Sequence, residues 1–94
     1  MKNDLWKITM TISTSTVRDL MITFSLPKED AESIGLNDIS LLIRSSLSRF
    51  ISPENAVMIK NEFEKYITVS KFRFSKRFKF GNNTCVLLSG RLTK

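Results

Sequence analysis

Histidine is absent from this sequence, and cysteine occurs once. The first absence removes the commonest general base, the imidazole-activated serine and cysteine nucleophiles, and most zinc sites. The second rules out an internal disulfide and fits a reducing compartment, so a cytoplasmic location is expected. No apolar run approaches the ~18 residues of a membrane span, and the first residues lack a signal peptide's apolar segment. The three glycines, Gly35, Gly81 and Gly90, are isolated, so no glycine-rich phosphate loop is present. Cys85 has no partners for a metal site, and Glu29, Asp30 and Glu32 suit the first turns of a helix better than a cation. A non-enzymatic protein with no cofactor and no metal is the expectation.

What is present is an ordinary globular composition over 94 residues, 41% hydrophobic and 26% charged. That is enough for one domain, residues 1–94, with one core. Acids are confined to one part of it. Residues 65–94 carry eight lysines and arginines and no acid, whereas residues 1–64 carry seven and all nine acids. A chain of net charge +6 so divided is polarised toward an anionic partner.

Periodicity supplies the fold. Trp6, Ile8, Met10 and Ile12 alternate with Lys7, Thr9 and Thr11, and Leu20, Ile22, Phe24 and Leu26 alternate with Asp19, Met21, Thr23 and Ser25. Two such runs across the polar stretch Ser13–Thr16 read as an antiparallel hairpin. Pro27 ends the second run and opens a short helix over 28–34, with Gly35 as its stop. Asn37 or Asp38 caps a second helix, with Ile39, Leu42, Ile43, Leu47 and Phe50 on one stripe and Ser40, Arg44, Ser45, Ser48 and Arg49 opposite. Ser52-Pro53-Glu54 starts a third helix, whose inward stripe is Ala56, Ile59, Phe63 and Tyr66. Period two returns from about Ile67. With Gly81-Asn82-Asn83 as the turn, Phe80 faces Thr84, Phe78 faces Val86, Phe74 faces Gly90 and Phe72 faces Leu92. The four phenylalanines then share the buried face, and Lys76 on that face calls for a bulge or a sheet rim. The expected class is α+β: an antiparallel sheet of about four strands in two hairpins, with two or three helices on one face.

The same register puts Lys71, Arg73, Arg77, Lys79 and Arg91 on the opposite, outward face, with Arg73 directly across from Arg91. Like charges so placed destabilise a sheet, which marks the surface as one arranged for an external anion. Lys7, Thr9, Thr11, Thr23 and Ser25 of the first hairpin extend it with hydroxyls suited to phosphate or sugar. Because the phenylalanines take the core parity, base stacking is unavailable, and duplex DNA or structured RNA held by its phosphates is favoured over extended single strand. A membrane partner is disfavoured, since no basic amphipathic helix is present to insert. The alternative partner is an acidic protein surface. Small size, lack of catalytic groups and richness in serine and threonine resemble small accessory proteins of phages and mobile elements, which implies an inhibitor or adaptor. Unpaired hairpin edges allow a homodimer.

Residues 21–51 resemble a ribbon-helix-helix DNA-binding unit in outline: alternating strand, Pro27, helix, Gly35, capped second helix. That resemblance would send Thr23 and Ser25 into a major groove. The stretch from Pro27 to Gly35 is too short for that family's first helix, and the preceding strand competes for the pairing edge, so the resemblance does not set the expected fold.

Overall fold

The computed structural model describes residues 4–32 and 35–93. Strands β1 (Leu5–Ser13) and β2 (Leu20–Pro27) form one hairpin, and β3 (Arg73–Phe80) and β4 (Thr84–Thr93) another. Between them lie a 3-10 turn, Lys28–Glu32, and the helices α1 (Gly35–Leu47) and α2 (Pro53–Val69). The class is α+β, and the strands make one antiparallel sheet in the order β2-β1-β4-β3. The central pairing, β1 with β4, joins the two hairpins, with Ile8 opposite Gly90 and Met10 opposite Leu88.

The β3–β4 register is the one predicted, Phe80 to Thr84 through Arg73 to Arg91, and it runs without a bulge. Gly81 in the turn has φ +66°, a backbone that side chains resist. In the other hairpin, hydroxyls satisfy the loop as expected: Thr14 Oγ1 accepts from the Val17 N–H at 3.0 Å, and Ser13 Oγ from the Asp19 N–H at 3.1 Å.

The even-numbered side chains of β1 and β4 meet the helices. Ile8, Met10, Ile12, Val86 and Leu88 are fully buried with Ile43, Leu47, Ile59 and Phe63. At one end of this core the Phe74 ring reaches across Gly90 to Trp6, 5.6 Å between centroids, and stacks on Tyr66 at 5.9 Å. A methyl group on Gly90 would collide with that ring.

The helical region departs from the periodicity reading in several places. The segment after Pro27 is a 3-10 turn, and its expected continuation at Ser33 and Ile34 lies outside the described residues. Gly35 opens α1 rather than closing a helix, which places Asn37 and Asp38 inside it instead of at its cap. The buried stripe of α1 is rotated: Ser40 is buried while Leu42 is 52% exposed. α1 packs on α2 and the 3-10 turn, so α2 selects the face, and an apolar stripe wide enough to admit either set leaves that choice to the partner. In α2, Ile67 takes the place given to Tyr66, which is half-buried, and the helix runs to Val69 instead of yielding to a strand at Ile67. Phe72 departs as well. It was expected in the core but lies in the bend between α2 and β3, where strand alternation has not yet begun, and is 68% exposed. Lys76 is exposed because β3 is the rim.

Two stability results follow from these details. Ser52 caps α2, its Oγ accepting from the Asn55 N–H at 3.3 Å, with Pro53 in the first turn. Ser52→Ala is expected to cost about 0.5–2 kcal/mol, read from the chemical denaturation midpoint. Ser40 Oγ is buried without a hydrogen-bond partner. An unsatisfied buried hydroxyl costs about 1–3 kcal/mol, and alanine has the higher helix propensity, so Ser40→Ala should raise the thermal midpoint. A drop instead would mean that the hydroxyl has a partner.

Candidate anion-binding face

The helices cover one face of the sheet and leave the odd-numbered side chains of β1 and β4 on the other. Because all three pairings are in register, this outer face is a grid of rows running across the strands. Next to the row of Pro27, Leu5 and Thr93, the first row that spans all four strands reads Ser25, Lys7, Arg91, Arg73. The next is made wholly of hydroxyls: Thr23, Thr9, Ser89, Ser75. The third reads Met21, Thr11, Leu87, Arg77, and the fourth brings Ser13, Cys85 and Lys79 together.

Each residue singled out in the sequence therefore lies on this face or at its border. Arg73, Arg77, Lys79, Arg91, Lys7, Thr23 and Ser25 are exposed on it, and Thr9 and Thr11 are half-buried. Lys71 is exposed just before β3. The strand order changes the weighting. Lys7 is not an outlying extension of the C-terminal hairpin but stands directly beside Arg91, in the middle of the sheet. Three cations on adjacent strands thus stand about 4.8 Å apart, backbone to backbone. Ser89 was not singled out beforehand, although its odd parity with Arg91 would have shown it.

These charges have no internal counterweight. Among the described residues, the one ion pair is Lys60 with Glu64 on α2, 3.2 Å apart and away from the sheet face. Asp19 sits in the β1–β2 loop at the far end from Lys7 and accepts a hydrogen bond from Ser13 Oγ at 3.1 Å, and Asp4, just before β1, makes no ion pair within 4 Å among the described residues. Each adjacent like-charged pair costs a fraction of a kcal/mol in salt. The cation row and the hydroxyl row together line an open concavity of about 420 Å3, whose polar walls are Lys7, Arg73 and Arg91 with Thr9, Ser75 and Ser89. Ser89 Oγ reaches Thr9 O only at 3.5 Å, and no side-chain hydrogen bond of Thr9, Thr23 or Ser75 is found among the described residues, so donors remain for an external acceptor.

Within the paired rows the face carries no aromatic ring: Phe74 and Phe78 are buried on the helix side, Phe80 is half-buried there, and the exposed Phe72 precedes β3. Among the described residues, no group of three acids, cysteines or histidines is placed to hold a metal ion, and no helix is long and apolar enough to cross a membrane. The chain matches no family model, no curated protein and no solved structure, so the chemistry of this face is the whole ground for a functional reading.

Proposed function

We propose that this is a non-enzymatic binding protein that holds the phosphate backbone of duplex DNA or structured RNA against the outer face of its sheet. The observation that carries the reading is the row Lys7–Arg91–Arg73, three adjacent cations with no acid within 4 Å among the described residues. A fold gains nothing from such a row by itself. An array of phosphates supplies the missing negative charge, and the hydroxyl row beside it supplies neutral donors for phosphate or sugar oxygens. Without a ring on the face, bases are not stacked, and binding is strong in charge and poor in sequence discrimination.

Fluorescence anisotropy of labelled duplex DNA and duplex RNA, at about 50 and about 200 mM salt, tests this reading. Binding at the lower salt that weakens sharply at the higher, and that is lost in Arg73→Ala/Arg77→Ala, is the expected result. No binding at the lower salt, or binding indifferent to the double substitution, overturns it. In that case the exposed Met21 and the half-buried Leu87, which interrupt the polar grid, favour an acidic protein surface as the ligand of the same face.

A further inference from the structure

The two edges of the sheet differ in a way the anion-binding reading does not use. β3, at one edge, carries Arg73, Lys76, Arg77 and Lys79, all exposed. β2, at the other, has the sequence Leu-Met-Ile-Thr-Phe-Ser-Leu-Pro, with no charged residue. Exposed edge strands are normally protected by charge, by an early proline or by a bulge. β2 has none of these: its register with β1 is unbroken from Leu20 to Pro27, and proline comes only at its last position. No backbone hydrogen bond from any element but β1 reaches Leu20–Leu26 among the described residues.

The helix side of this strand is also incompletely covered. Leu20, Ile22 and Phe24 are half-buried, whereas the residues paired with them on β1, Ile12, Met10 and Ile8, are fully buried. On the outer face Met21 is 64% exposed. β2 is thus an unprotected edge bordered by an apolar strip that the chain's own helices leave partly bare.

We propose that the β2 edge is a self-association surface, on which β2 of a second copy pairs antiparallel across a two-fold axis. Self-complementary parity along β2 selects a second copy as the occupant, and charge places the contact. A chain of net charge +6 repels its own copies over most of its surface, and β3 edges repel one another outright. The neutral β2 edge is where two copies meet with the least of that cost. Parity then restricts the register: residues directly opposite must project to the same face, so an odd-numbered residue pairs with an odd one. Centred on the strand, Thr23 lies opposite Thr23 of the second copy, Ile22 opposite Phe24, and Leu20 opposite Leu26. Both apolar strips then meet on the helix side, and an isologous pair closes without leaving a second β2 edge free. The inference does not depend on what the outer face binds.

Sedimentation equilibrium over a concentration series reads the outcome directly. The chain of 10.8 kDa is expected to approach twice that mass as concentration rises into the tens of micromolar. Thr23→Lys places like charges opposite each other at the axis while leaving an exposed position exposed, so it should weaken association at least tenfold with an unchanged circular dichroism spectrum. Amide exchange of the wild-type chain gives a second reading that needs no variant: protection that grows with concentration should concentrate in Leu20–Leu26. A monomer throughout the series overturns the proposal. So does a dimer that tolerates Thr23→Lys in a folded chain, or one whose added protection lies outside β2.

Discussion

Phe74→Ala is expected to destabilise the domain by about 3–5 kcal/mol, the cost of truncating a large aromatic in a packed core. Few positions carry comparable weight, because one ring joins three elements: Trp6 on β1, Tyr66 on α2, and the backbone of β4 at Gly90. Against a total stability of about 5–15 kcal/mol, much of the margin goes with it. Gly90→Ala reaches the same cluster from the other side. Its methyl group occupies space that the Phe74 ring fills, and moving that ring disturbs its contacts with Trp6 and Tyr66, so a loss of about 1–3 kcal/mol is expected. The double variant discriminates: the added methyl group now lies in the vacated ring site, and its loss should fall clearly short of the two single losses combined. Urea denaturation of the four chains measures the coupling. Strict additivity would show that ring and glycine do not share space in solution.

The second large effect concerns affinity. If Lys7, Arg73 and Arg91 each neutralise one phosphate of a duplex, they account for a slope of about 2.7 in log K against log salt, so fourfold more salt weakens binding about 40-fold through this row alone. Lys7→Ala/Arg73→Ala/Arg91→Ala should remove that part of the slope, nearly equally for unrelated duplex sequences. Arg77→Ala/Lys79→Ala, on the rim, should remove at most about 1.8. The triple variant should melt no lower than the wild type, because it deletes only mutually repelling charges. A slope unchanged by the triple substitution would place the ligand elsewhere.

How far these features are legible in the sequence differs from element to element. The register of the C-terminal hairpin from Arg73 to Arg91 is readable, because Gly81-Asn82-Asn83 sets the turn and alternation, broken only at Lys76, sets both faces. The composition of the outer face follows from the same parity. Its assembly does not: alternation says which way Lys7 points, not which strand lies beside it, so the Lys7–Arg91 contact depends on β1 pairing with β4. Phe72 shows a different gap. It has the parity of Phe74, but periodicity carries no signal of where the strand begins. Helix α1 is the least legible element, because its apolar residues admit two stripes and only packing on α2 decides between Ser40 and Leu42.

The position of β1 between β2 and β4 also shapes how the chain is made. The first hairpin leaves the ribosome with Trp6, Ile8, Met10 and Ile12 bare on one side, and β1 itself is an open edge until β4 emerges. Thr93 Oγ1 closes on the Leu5 carbonyl oxygen at 3.1 Å across 88 positions of chain. The central β1–β4 pairing of the sheet therefore forms only after the C-terminal strand has been made. Contacts of such high sequence separation fold slowly, and the waiting hairpin is the segment most in need of chaperone cover.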